Sequence, residues 1–203
     1  MGTRERRGRE GQARLSTILG AAESVFARKG FYQTRMDDIA GQAELSKGAL
    51  YYYFKSKDEI YVQLLEREAD KVYEEIKGRI RGKDTFLGIL ETVMDFSVEY
   101  FEANNAFLRI FLPCMCDLVR LGDRCTIQRS RRHYDRHARL VKRFLGQAIR
   151  RERLPFTLDD LAKFLMMMER GIGLMILEGN TREARETAHF FLNLIKIAME
   201  KNA

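Results

Sequence analysis

The 203-residue sequence contains no tryptophan, two prolines, three cysteines and three histidines. With only Pro113 and Pro155 to interrupt it, with Ala, Leu, Glu, Lys and Arg abundant and few β-branched runs alternating with polar residues, the chain reads as all-α. Cys114, Cys116 and Cys125 are too few for a disulfide framework and odd in number, so a reducing compartment is expected. Scarce histidine, no phosphate-cradling glycine loop and no His-Glu-x-x-His argue against an enzyme. His133 and His137 stand one helical turn apart, with Cys114 and Cys116 not far off in sequence, but no further ligand lies on a matching element. No metal and no cofactor are therefore expected. No uncharged apolar run reaches about 18 residues, and the N-terminus is charged where a signal peptide needs an apolar stretch. A cytoplasmic location without membrane association is the expectation.

What is present is charge, unevenly spread, and enough apolar surface (45% hydrophobic) to bury a core. The net charge is +7. Residues 1–57 hold 11 Lys/Arg against 6 Asp/Glu, and residues 118–151 hold 11 against 2, so two basic segments sit in an otherwise acidic chain. A basic segment asks for an acidic partner or for acidic neighbours.

Residues 1–14 alternate Arg, Glu and Gly without an apolar face, which predicts a flexible basic arm. Ile18, Leu19, Ala22, Val25 and Phe26 then recur at helical spacing, predicting a helix over 15–29 ended by Gly30. Thr34 and Asp37 read as a capping box for a short helix over 36–43, and Ser46 as the cap of another over 47–54. Two helices joined by so short a turn form a helix-turn-helix. A second box at Ser56 and Glu59 opens a rod that ends near Gly82. Asp84 is expected to open the next helix and Asn104-Asn105 to break it, with a short apolar helix over 107–112 running into Pro113. A basic helix over 126–151 follows, then a helix over 158–178 capped at Thr157, then one over 181–201. The 158–178 helix is apolar nearly all round. In a chain this small its second cover is expected from another subunit, predicting a homodimer through Leu161, Phe164, Leu165, Ile172, Met175, Phe191, Leu194 and Ile195.

The run Val25-Phe26-Ala27-Arg28-Lys29-Gly30-Phe31, then Thr34-Arg35-Met36-Asp37-Asp38-Ile39-Ala40, then Leu45-Ser46-Lys47-Gly48-Ala49-Leu50-Tyr51-Tyr52-Tyr53-Phe54-Lys55-Ser56-Lys57-Asp58, resembles the DNA-binding region of the TetR family of bacterial transcriptional regulators. Glu44 departs from the glycine usual in that turn, at a cost on the order of 1 kcal/mol if it is left-handed. The resemblance implies a DNA-binding domain over 15–57, a connecting helix over 58–82 and a ligand-binding and dimerisation domain over 83–203, about nine helices in all.

It also implies a DNA surface made of Thr34, Arg35, Ser46, Lys47, Gly48, Ala49, Tyr51, Tyr52, Lys55 and Lys57. Small residues at Gly48 and Ala49 let the helix approach base edges; Lys47 can reach a guanine or a phosphate, and Tyr51 a phosphate. Lys57, beside the free amides that open the next helix, reads as a further phosphate contact. Leu50, Tyr53 and Phe54 are expected to pack inward. The partner is then a double-stranded operator, with repression the family default.

A small apolar or aromatic effector is expected among Met94, Phe96, Tyr100, Phe107, Phe111, Met115, Tyr134, His137, Val141, Phe144, Met167 and Met168, residue types that otherwise serve as core. The basic helix reads as a solvated face, as a site for an anionic effector such as an acyl-coenzyme A, or as added attraction for DNA. An alternative role is a TetR-like protein of chromosome organisation or cell division that senses no small molecule.

Overall fold

The computed structural model describes residues 3–116, 135, 138, 139, 141–146 and 156–201, the side chains of 3–8 and 113–116 excepted. The expectations for Tyr134, His137, His133 and Cys125, for most of the basic helix, and for the side chains of Met115, Cys114 and Cys116 lie outside the described residues. The described residues are helical throughout their regular elements. The chain divides into two compact units, Met1–Glu68 and Ala69–Ala203.

The first unit holds α1 (Thr3–Lys29), α2 (Met36–Gln42), α3 (Lys47–Tyr53) and the start of α4 (Lys57–Arg79). Ile18, Ala22, Val25 and Phe26 of α1, Ile39 of α2, Leu50 of α3, and Ile60 and Leu64 of α4 are at most 2% exposed. Each of these side chains larger than alanine contributes roughly 1.5–3 kcal/mol by leaving water, and the Ala22 methyl less. Phe26, Phe31 and Tyr61 form an aromatic cluster with ring centroids 4.7 to 5.6 Å apart. Arg67 ties α4 to α1 through Glu23 at 2.9 Å.

α1 begins at Thr3, so the arm expected over 1–14 is helical instead. Its Arg, Glu, Gln and Ala residues are good helix formers, and extending a helix already held by a packed face avoids the cost of nucleation. Gly30, at φ 77°, ends α1 as expected.

The second unit holds the remainder of α4, then α5 (Phe86–Ala103), α6 (Asn105–Cys116), a helical stretch over 141–146 (α7), α8 (Leu158–Leu177) and α9 (Thr181–Glu200). α5 is its centre, with Phe86, Leu90, Met94, Phe96 and Val98 at most 2% exposed and packing against α6, α8 and α9. The cap of α5 is Thr85, whose Oγ1 accepts from the Gly88 amide at 3.2 Å, not the expected Asp84. α6 runs through Pro113 to Cys116, four residues beyond the expected end. Proline there forgoes a single amide donor, which a helix packed on its neighbours can tolerate.

At Gly173 of α8 an added Cβ would stand 2.9 Å from Leu108 Cδ1 and 3.3 Å from Leu112 Cδ2, so the absence of a side chain lets α8 lie close on α6. Gly179, at φ 85°, closes α8: the Asn180 amide donates to Met175 O at 2.8 Å and the Gly179 amide to Ile176 O at 3.1 Å. Among the described residues no helix is long and apolar enough to cross a membrane.

Candidate functional site

The candidate DNA-binding surface is built by α2, the turn after it and α3. α2 ends in the same hydrogen-bond pattern as α8, the Leu45 amide donating to Ala40 O at 2.9 Å and the Glu44 amide to Gly41 O at 3.2 Å. Glu44 takes the left-handed position at φ 55°, alone in this respect among the described non-glycine residues, so the turn keeps its usual form despite the substitution. Ser46 then caps α3 by accepting from the Ala49 amide at 3.2 Å.

Seven residues of helix divide cleanly by periodicity. Leu50 and, at the C-cap, Phe54 are 0% exposed and seat α3 on the core, with Tyr53 half-buried. Lys47, Gly48, Tyr51 and Tyr52 form the outer face, Tyr52 being 84% exposed. A Cβ added at Gly48 would meet nothing within 4 Å, so its surface is open to an approaching groove. Lys47 is held outward by Asp37 of α2 at 2.9 Å, and that hydrogen bond and charge raise the lysine above its ordinary pKa, keeping it cationic. Arg35, Ser46 and Lys55 are also on the surface, and Ala49 is half-buried.

Two expected DNA contacts are corrected. Thr34 is 1% exposed, and its hydroxyl donates to Gly30 O at 2.7 Å, closing the end of α1 in place of capping α2. The N-terminus of α2 is instead served by Asp38, whose carboxylate accepts from the Arg35 amide at 2.9 Å. Lys57 donates to the carbonyls of Phe31, Tyr32 and Thr34 at 2.8, 3.1 and 3.0 Å, with its ammonium 4.6 Å from the Phe31 ring centroid. It is a tie for the α1–α2 turn, with these hydrogen bonds going to carbonyls of its own unit. Its place beside the free amides that open α4 made it read as a contact; only the fold reveals the three carbonyls.

The second unit places the expected effector residues in two settings. Met94, Phe96, Phe107 and Phe111 are buried and Tyr100 half-buried; ring contacts run from Phe96 to Tyr100 at 5.5 Å along α5, across to Phe107 of α6 at 6.4 Å, and on to Phe111 at 5.7 Å. Val141 and Phe144 of α7 are buried as well. Met167 is corrected: it is 64% exposed on the outer side of α8, while Met168 is intermediate.

A cavity of about 680 Å³ lies elsewhere, between the end of α4, the loop into α5 and α7, with Tyr73, Ile80, Ile89 and Phe144 among its walls. Of the expected residues that the structure describes, Phe144 alone lines it. The Arg-Ile-Arg-Gly-Lys run over 79–83 was the signal in the sequence, read only as a helix end.

The dimerisation set also divides. Leu161, Leu165, Ile172 and Phe191 are 1 to 5% exposed and are corrected to core, because α5, α6 and α9 of the same chain cover that side of α8. Phe164 and Leu194 stay outside at 42 and 48%, Met175 and Ile195 are intermediate, and Met167, Leu174, Phe190 and Ile197, none of which the sequence reading assigned to pairing, complete an exposed apolar stripe. Phe164 stacks on Phe191 at 4.6 Å and joins the stripe to the core.

Residues 18–64 match the profile of "Bacterial regulatory proteins, tetR family". The chain is 37% identical over 68 residues to the HTH-type transcriptional activator FasR of Mycolicibacterium smegmatis, covering 34% of this chain and 31% of that protein. It is 28% identical to the regulator QacR of Staphylococcus aureus, covering 43% and 56%. The chain thus spans less than two thirds of the length of these curated relatives.

Solved structures share the fold over far more of the chain. A TetR-family regulator of Syntrophomonas wolfei superposes with a TM-score of 0.76 at 20% identity, covering 92% of this chain and 94% of that one. FadR of Bacillus subtilis, in complex with stearoyl-CoA, gives 0.71 at 16% identity, covering 87% and 97%. A regulator of Saccharomonospora viridis in complex with choline gives 0.71 at 19%, covering 90% and 96%.

Proposed function

We propose that the chain, whose residues 18–64 match the family of bacterial tetR regulatory proteins, is a ligand-responsive regulator of transcription of that kind, which binds a palindromic operator as a homodimer. The observation that carries this reading is the outer face of α3: a capped, core-seated helix that presents Lys47, Gly48, Tyr51 and Tyr52 with no larger side chain to hold it off a groove. Lys47 reaches a base edge or a phosphate once it exchanges Asp37 for DNA, Tyr51 donates to a phosphate, and Arg35 and Lys55 add positive charge.

Two copies pair through the stripe on α8 and α9, which is larger than scattered surface apolar residues would make it. The reading helices of such a dimer enter successive major grooves about 34 Å apart, so a small change in their separation releases the operator. A small molecule that favours one separation by a few kcal/mol is sufficient as effector. Relatives of this fold hold stearoyl-CoA and choline, and an effector with an apolar or aromatic body suits the aromatic walls of the second unit. Release of a repressor is the expected mode, in the cytoplasm and without catalysis.

Selection of genomic fragments by the purified chain, followed by footprinting, tests the reading directly. Protection of a two-fold symmetric site is expected. Tyr51→Ala should weaken every fragment alike, whereas Lys47→Ala should also alter base preference. Unchanged operator affinity in both variants would overturn the assignment of α3.

A further inference from the structure

The cavity at the end of α4 joins an apolar floor to an unbalanced cationic rim. Tyr73, Ile80, Ile89 and Phe144 supply the floor, while Lys77, Arg81, Lys83 and Arg143 face Glu74 and Asp84 around it. Glu74 is already engaged by Lys77 at 3.0 Å. Among the described residues no carboxylate forms an ion pair with Arg81, Lys83 or Arg143. The Arg143 guanidinium stands 5.2 Å from the Tyr73 ring centroid, and Tyr73 stacks on Phe144 at 4.8 Å, so flat apolar surface and positive charge are offered side by side.

Cations of one sign around a hollow with low-dielectric walls focus the potential inside it and draw anions. A neutral apolar guest would strip water from those cations and return no hydrogen bond; an anionic head group returns several, and an arginine takes a carboxylate or phosphate in bidentate fashion. The volume suits a molecule of ordinary ligand size.

We propose that this cavity takes an organic anion, an apolar or aromatic body bearing a carboxylate or phosphate group that settles among Arg81, Lys83 and Arg143. This deepens the ligand-responsive reading and rests on it. Tyr73 and Lys77 belong to α4, the helix that also starts the DNA-reading unit's last element, so the guest touches that helix directly.

Calorimetric titration of the full chain with decanoate, decyl phosphate and decanol, each below its aggregation concentration, tests the assignment. Both anions should bind at one site per chain and decanol at least about tenfold more weakly, a difference of about 1.4 kcal/mol. Whichever anion binds tighter identifies the head group. Arg143→Glu and Arg81→Glu should each weaken the anions by about tenfold or more while the circular dichroism spectrum is retained, and Lys83→Glu, placed in the loop, serves should a helix variant fail to fold. Equal binding of decanol, undiminished affinity in the folded variants, or no binding of either anion would overturn the proposal. Operator affinity measured on the same samples separates the two readings, since a chain that holds DNA yet ignores anions loses only the cavity assignment.

Discussion

Lys57 and Thr34 are joined by a hydrogen bond of 3.0 Å, from the ammonium at the start of α4 to a carbonyl just before α2. The same ammonium also closes on Phe31 O and Tyr32 O and lies against the Phe31 ring. A single charge therefore satisfies three carbonyls of the turn that orients the reading helices. Lys57→Ala should lower unfolding stability by about 2 kcal/mol, the scale of charge-assisted hydrogen bonds left unmade. Urea denaturation measures this. The salt dependence of DNA affinity should keep its slope, whereas a lysine lost from a phosphate would reduce that slope by about 1.

Glu44 occupies a backbone conformation that glycine enters freely and that costs another residue on the order of 1 kcal/mol. Glu44→Gly should raise stability by about that amount, less whatever chain entropy glycine adds to the unfolded state. A higher thermal midpoint with unaltered operator preference is the expected result; a lower midpoint would mean that the glutamate side chain contributes contacts outweighing its strain.

Asp38 is held below the ordinary carboxylate range first by its hydrogen bond from Lys29, at 2.6 Å, and then by the Arg35 amide. A depressed carboxylate stabilises the fold fully above its unfolded pKa, about 3.9, and loses that contribution as pH falls through its lower folded value. The difference in thermal midpoint between the native chain and Asp38→Asn should accordingly be constant from pH 7 to about 5 and narrow below about 4. A difference that widens with acid would contradict the assignment.

Leu174 and Leu194, half exposed on α8 and α9, test the pairing face. Leu174→Glu and Leu194→Glu should give folded monomers in sedimentation, because each places a charge in a surface that dimerisation would dry. Operator affinity should fall by orders of magnitude as the second reading helix is lost from the complex. Dimers that persist in the double variant would refute this face as the interface.

Much of the reading unit was legible because its determinants are local. The Ser46 cap, the inward Leu50 and Phe54 and the end of α1 at Gly30 each follow from a few neighbouring residues, and each is present. Thr34 and Lys57 were misread for the opposite reason. Their partners are carbonyls fixed by the path of the chain, and sequence spacing does not reveal a carbonyl's direction. Leu161, Leu165, Ile172 and Phe191 were placed on the pairing face on the same ground, since periodicity marks which residues share a face but not which element of the same chain covers it. The cavity at the end of α4 needs that helix, the following loop and α7 to converge, so its charges were visible and their meeting was not.

Gly173 also sets opposite rules for the two sides of α8. Toward α6 there is no room even for a methyl group unless Leu108 and Leu112 move, so that flank admits little variation. Outward, Met167 and Leu174 meet no such ceiling among the described residues, each being more than half exposed. Redesign of subunit choice, for orthogonal regulators in one cell, has latitude on the outer flank alone.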